Sequence, residues 1–240
     1  MTAKILLLTT TGGAFLNEAL ARPAFRSRIE GVVSDRACGG LQAAARHGLP
    51  TRIISEPDNG AFSAALLRHA AEARIDYLVT ASFRRLLKPP MTDAYRDRLF
   101  NVHPSILPAF EGLNPIDQQL AVETRLVGST VHVVDDSVDG GPIVQQSALV
   151  RAYGEEPERL RHRLFELSVK GLLQLVAWLW EGRLAVTPDG VRVTGARFDD
   201  PSHAPAFDDP EAAALSLPWP WWDRPEYRHL APGAPGLVAG

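Results

Sequence analysis

Between Lys4 and Ser82 the chain alternates apolar runs of strand length with longer helical patterns, and this rhythm restricts the fold more than any other feature. "KILLLTT", "IEGVVS", "TRIIS" and "DYLVTAS" read as strands; "AFLNEALA", "GGLQAAARHG" and "FSAALLRHAAEAR" between them read as helices. Strands apolar on both faces and separated by helices imply a parallel sheet with right-handed crossovers. The expectation is a doubly wound, mostly parallel α/β domain. The rhythm then changes. "STVHVVDDSVDGGPIVQQSALV" holds two β-rich runs around an acidic, glycine-containing loop. "EEPERLRHRLFELSVKGLLQLVAWLWEG" reads as the longest helix, with Glu155 and Glu156 at its anion-favouring start. "RLAVTPDGVRVTG" reads as a hairpin about Pro188, Asp189 and Gly190, followed by a Pro- and Trp-rich tail expected to be poor in regular structure. We expect "LPWPWWDRPEY" to pack onto the body.

With 240 residues, 45% of them hydrophobic, the chain can build a full core without a disulfide or structural metal, and Cys38 is its only cysteine. A net charge of -3 gives no electrostatic reason to expect a nucleic-acid partner, so a small molecule is the expected one. The amino terminus is too briefly apolar for a signal peptide, and "GLLQLVAWLW" is far shorter than the about 20 residues that span a bilayer. No membrane partner and a cytoplasmic location are expected.

"NVHPSILPAF" stands where a buried strand should end. The residue before a proline is pushed towards extended backbone, and alternate strand residues share a face, so Asn101 and His103 point the same way. In open α/β sheets ligands bind beyond the carboxyl ends of strands. The loop "DDSVDGG" offers Asp135, Asp136 and Asp139 with two glycines. A solvated acidic turn accounts for it equally well; beside His103, however, an aspartate could fix a tautomer and move a proton. His132, inside "STVHVV", reads as a packed strand histidine rather than a catalyst, and His47 and His69 as surface residues of helices. The histidines show no metal-ligand spacing, so no metal is expected. "TTTGGAF" fits neither dinucleotide nor P-loop spacing.

"NVHPSILPAFEG" followed by "GSTVHVVDDSVDGGPIVQQ" resembles the signature of the folate-dependent formyltransferases, typified by glycinamide ribonucleotide formyltransferase, over about residues 1 to 185. The resemblance implies a Rossmann-like catalytic domain over residues 1–185, with residues 186–240 as a hairpin and tail packing on it. It implies a catalytic triad of Asn101, His103 and Asp139. The folate wall would be Phe83 with the backbone near Arg85, Leu86 and Leu87, and the loop bearing Asp135, Val138, Gly140 and Gly141 would close the other side. Thr11, Gly12, Gly13 and Ser168 would meet the substrate. The co-substrate implied is 10-formyltetrahydrofolate, with a small-molecule amine as acceptor, and a monomer or homodimer is expected. The first loop of the purine enzymes carries asparagine and serine, where this chain has "TTTGGAF", and Ser168 stands where they carry a glutamate. These departures favour an amine other than glycinamide ribonucleotide. "LPAFEG" and "GPIVQQ" are also similar to formyltetrahydrofolate hydrolases, so a hydrolase is the alternative, with a non-catalytic ligand-binding α/β module behind it.

Overall fold

The computed structural model describes residues 3–11, 13–122 and 124–220. In chain order the elements are β1 (Ile5–Thr9), α1 (Gly13–Leu20), α2 (Pro23–Ser27), β2 (Ile29–Ser34), α3 (Gly39–Arg46), β3 (Thr51–Ile53), α4 (Asn59–Glu72), β4 (Tyr77–Thr80) and α5 (Met91–Ala94). They continue as β5 (Leu99–His103), α6 (Pro115–Ala121), β6 (Leu126–Val133), β7 (Ile143–Val150), α7 (Pro157–Trp180), β8 (Leu184–Thr187), β9 (Gly190–Val193), β10 (His203–Ala204) and α8 (Pro210–Ala214).

Eight strands form one sheet in the order β10-β7-β6-β5-β4-β1-β2-β3. The five strands from β5 to β3 run parallel, while β6, β7 and β10 are antiparallel to their neighbours. This is the doubly wound, mostly parallel sheet that the alternation of apolar runs implies. Strand side chains alternate between two cores. Ile5, Leu7, Val79 and Phe100 pack with α1, α3 and α7; Leu6, Leu8, Leu78 and Leu99 pack with α4 and α5. Burial on both faces is why these strands read as continuous apolar runs instead of alternating ones.

β1 lies between β2 and β4, so the chain winds one way to β3 and then returns to the other side of β1. That reversal opens a crevice beyond the carboxyl ends of β1 and β4. The next change of direction is at β5, where Asn101 pairs with His132 and His103 with Thr130 across an antiparallel ladder.

The segment after the β8–β9 hairpin holds only two short regular elements: His203–Ala204 adds a strand opposite Ser147 and Gln146, and α8 starts at Pro210 behind the Asp209 cap, which accepts from the Glu211 and Ala212 amides. A two-residue strand shows no periodicity, but Asp-Pro is a helix-start signal that could have been read. The same proline-first pattern marks the two short helices that the rhythm did not reveal, α2 at Pro23 and α6 at Pro115. Of the aromatic tail stretch, Leu217 lies on α7, where its amide donates to Glu166 (2.8 Å) and its carbonyl accepts from His162 Nε2 (3.1 Å). The rest of that stretch, from residue 221, lies outside the described residues.

Candidate active site

A cavity of about 980 Å³ occupies the crevice beyond the carboxyl ends of β1, β2, β4 and β5. Of the residues singled out in the sequence, Thr11, Gly13, Phe83, Asn101, His103 and Ser168 line it. Gly12 lies outside the described residues.

Asn101 and His103 point from one face of β5, as their spacing dictates. Across the antiparallel ladder, His132 is the direct partner of Asn101 and so shares that face. His132 Nδ1 lies 2.9 Å from the Val133 carbonyl, which only accepts, so Nδ1 carries the proton. Burial pushes the His132 imidazole below its usual value, against smaller opposing effects of the Val133 carbonyl and Asp139. The ring is therefore neutral at pH 7, and Nε2 accepts from the Asn101 amide nitrogen at 3.1 Å. The Asn101 carbonyl oxygen accepts from Thr80 Oγ1 at 2.5 Å. Both ends of the carboxamide are thus assigned, and one amide N–H is left over. His132 is the residue whose role was missed. Its strand was recognised, but only the β5–β6 register puts it opposite Asn101.

Asp139 arrives on the β6–β7 loop with φ +54, a left-handed conformation that Asp tolerates better than most residues. Its Oδ2 accepts from the Gly112 amide at 2.8 Å and lies 3.4 Å from His103 Nδ1. The other His103 nitrogen, Nε2, is 2.9 Å from the Phe110 carbonyl. The structure thus brings Asn101, His103 and Asp139 together, with Asp139 Oδ1 also 3.6 Å from His132 Nε2, beyond hydrogen-bond range. The acidic loop is more than a solvated turn. Asp135 Oδ1 accepts from the amide and hydroxyl of Ser137, and Asp136 accepts from Thr92 Oγ1 at 2.9 Å, tying the loop to α5. Gly141 runs so close to β6 that an added Cβ would sit 2.0 Å from the Val133 carbonyl oxygen. Those contacts hold the loop in shape while Asp139 turns inward.

The remaining residues expected around a folate lie outside the lining of this cavity: Arg85, Leu86, Leu87, Asp135, Val138, Gly140 and Gly141. Arg85 donates to Asn59 Oδ1 and the Glu56 carbonyl and stacks over Phe62, so its guanidinium is structural here. Leu87 and Phe83 pack against the α4 core, on the side of the sheet to which Asn101 and His103 belong. Leu86 and Val138, on the two loops beside the triad, keep about half of their surface in water (49% and 51%). Ser168 is buried on α7, donating to the Leu164 carbonyl (2.8 Å) and pairing with Ser129 Oγ (3.2 Å).

The neutral state of His132 has a pH consequence. Its value is lowered on folding, so the unfolded chain takes up the proton first as pH falls. Its contribution to stability is complete above the unfolded value of about 6.5 and is lost as pH drops below it. Burial shifts His162 and His203 in the same direction. The melting temperature is expected to fall between pH 7.5 and 5.5, and to fall less steeply in His132→Gln. Equal slopes in the two proteins would remove His132 from this linkage.

Among the described residues no three His, Cys, Asp or Glu side chains are grouped to hold a metal ion, and no helix is long and apolar enough to cross a membrane. The family model described as formyl transferase matches residues 3–176. A phosphoribosylglycinamide formyltransferase of Mycobacterium tuberculosis is 30% identical over 198 residues, covering 80% of this chain and 89% of its own. A trifunctional purine biosynthetic protein, adenosine-3, of Drosophila pseudoobscura is 38% identical over 157 residues, 64% of this chain but only 12% of its own length. Among solved structures, glycinamide ribonucleotide transformylase 1 from Symbiobacterium toebii superposes with a TM-score of 0.73 at 32% identity, covering 80% of this chain and 94% of its own. With the sheet and these matches in agreement, the chain belongs to the formyl transferase family.

Proposed function

We propose that the chain transfers a formyl group from 10-formyltetrahydrofolate to the amine of a small molecule other than glycinamide ribonucleotide. The observation that carries the chemistry is the Asn101 carboxamide, held by Thr80 and His132 so that one N–H remains for a ligand beside His103 and its partner Asp139. The half-exposed apolar side chains of Leu86 and Val138, with Phe83 and Leu87 behind, suit a flat aromatic ring system between the two loops. The folate supplies an activated formyl carbon. The protein supplies position and charge.

As an amine attacks that carbon, negative charge grows on the formyl oxygen and positive charge on nitrogen. The spare Asn101 N–H donates to the oxygen. Both His103 ring nitrogens face oxygens, the Phe110 carbonyl at 2.9 Å and Asp139 Oδ2 at 3.4 Å, which fixes the imidazole beside the formyl oxygen. Donors fixed before the reaction need no reorganisation when charge develops. Asp139 positions the imidazole and receives the amine's proton, directly or through water; the bond from the formyl carbon to the folate nitrogen then breaks, and that nitrogen takes up a proton as tetrahydrofolate leaves.

Two observations support a different amine. The Thr10 and Thr11 amides, on the loop that would grip a phosphate, both already donate to the Ser82 carbonyl (3.0 and 3.4 Å). Ser168 presents no charge to an ammonium and is bonded internally. A charge-assisted hydrogen bond is worth roughly 1.5 to 3 kcal/mol, so losing two costs a few hundredfold or more in specificity if they act independently. Glycinamide ribonucleotide is therefore expected to be a poor substrate in steady-state kinetics. A kcat/KM near ~10^5 per molar per second, ordinary for an enzyme on its own substrate, would return the chain to purine synthesis. The broader test is incubation with 10-formyltetrahydrofolate with and without amines. Amine-dependent transfer supports the proposal; amine-independent formate release makes the chain a hydrolase; neither leaves a binding module.

A further inference from the structure

The sheet separates the triad's side chains from the helices that close the other side of the cavity. Asn101 and His103 point to the α4 side, with Phe83 and Leu87, whereas Val102 between them packs into the core under α1 and α7. An acceptor that reaches the formyl carbon from that second side rests its body on α1 and α7. Along α7, Arg161, Phe165 and Ser168 line the cavity, and their spacing of four and three residues makes them one stripe. Phe15 of α1 meets Phe165 edge to face, with ring centroids 6.0 Å apart and planes at 75°, and both rings line the cavity. Ala14 and Ile116 continue this apolar lining.

The polar groups of the stripe are already committed. Ser168 Oγ donates to the Leu164 carbonyl and pairs with Ser129 Oγ. Arg161 is bound to Asp117, the only carboxylate among the described lining residues. The other lining arginines stand elsewhere in the chain: Arg36 before α3, where Asp35 holds it at 2.7 Å, Arg46 at the end of α3, and Arg84 after β4. What the α1 and α7 wall offers an acceptor is therefore apolar contact, and above all two rings.

We propose that this wall seats an aromatic ring carried by the amine substrate, and that Phe165 is the residue that selects it. The acceptor is then an arylalkyl amine. This deepens the transferase reading and rests on it. Two rings set nearly at right angles border their space with both a face and an edge. A third ring completes the arrangement by stacking offset on one and meeting the other edge on, and each such contact strengthens binding roughly two- to tenfold beyond what buried area alone gives. A saturated ring of the same size fills the space but gains neither contact.

The test uses the full chain without a formyl donor and reads binding by ligand-observed NMR titration. The probes are 2-phenylethylamine, its saturated counterpart 2-cyclohexylethylamine, and O-phosphoethanolamine. 2-Phenylethylamine is expected to bind at least about threefold tighter than the saturated amine, although the latter is the more apolar of the two, and tighter than O-phosphoethanolamine. Phe165→Leu keeps apolar bulk but removes the ring, and is expected to erase the preference for the aromatic probe. Phe165→Tyr restores a ring and is expected to retain it, with thermal unfolding showing that both variants fold. Equal affinity for the aromatic and saturated probes, tighter binding of O-phosphoethanolamine, no binding of any probe, or a preference that survives in Phe165→Leu would overturn the proposal. A preference lost in Phe165→Tyr as well would overturn it too, by making Phe165 a packing residue. Because no formyl donor is present, failure here leaves the transfer reaction untouched. Conversely, a protein that prefers the aromatic probe but formylates no amine when given 10-formyltetrahydrofolate would refute only the transferase reading.

Discussion

His103→Ala is expected to lower turnover about 1,000-fold, equivalent to about 4 kcal/mol of transition-state stabilisation, because it removes the imidazole beside the developing oxyanion and the partner of Asp139. The fold should survive. His103 ends its strand, and the Phe110 carbonyl that it satisfies keeps a long hydrogen bond from Ser105 Oγ at 3.4 Å. Leaving a buried acceptor under-satisfied costs about 1 to 3 kcal/mol, which thermal unfolding will register separately. Folate affinity should change little. A variant that folds, binds folate and turns over within about tenfold of the parent, little more than the 1.4 kcal/mol of a single decade, would take His103 out of the chemistry.

The second large effect is expected from Asp139→Asn. Asparagine tolerates the left-handed backbone at this position at least as well as aspartate does, and its carbonyl oxygen can still accept from the Gly112 amide. The exchange therefore deletes the charge and the proton acceptor while leaving the loop in place. Turnover is predicted to fall ~100-fold or more, the range typical of removing a general base or acid, with folate affinity nearly unchanged. The opposite pattern, weakened folate binding with turnover retained, would make Asp139 a residue that shapes the loop.

The central strands β1 and β4 could be read from run length because both of their faces are buried, whereas exposed β3 and the short α2 carry a weaker signal or none. Asn101 and His103 could be placed on one face because a period of two does not depend on tertiary structure. Other features depend on pairing, which no local pattern encodes. Whether β6 runs parallel or antiparallel to β5 leaves no trace in "STVHVV", yet that direction makes His132 the partner of Asn101. The stabilising duty of Asp136 was hidden for the same reason: Thr92, which ties the loop down, is 44 residues away along the chain.

The connection from β5 to β6 divides into two parts with different freedom to change. Its first part, through Gly112, buttresses the triad, with Phe110 holding His103 and Gly112 holding Asp139. Its second part leaves that anchor, lines the cavity with Leu113, Asn114, Pro115, Ile116 and Asp117, and returns to β6. The two parts are joined at buried Gln119, whose amide donates to the Pro104 carbonyl at 2.8 Å, so an exchange or lengthening that keeps this glutamine leaves the anchors on His103 and Asp139 in place. Loop closure opposes this weakly, at about 0.6 kcal/mol per doubling of length. Grafting a relative's segment with Gln119 retained is therefore expected to change which acceptor the cavity admits while the contacts on His103 and Asp139 persist.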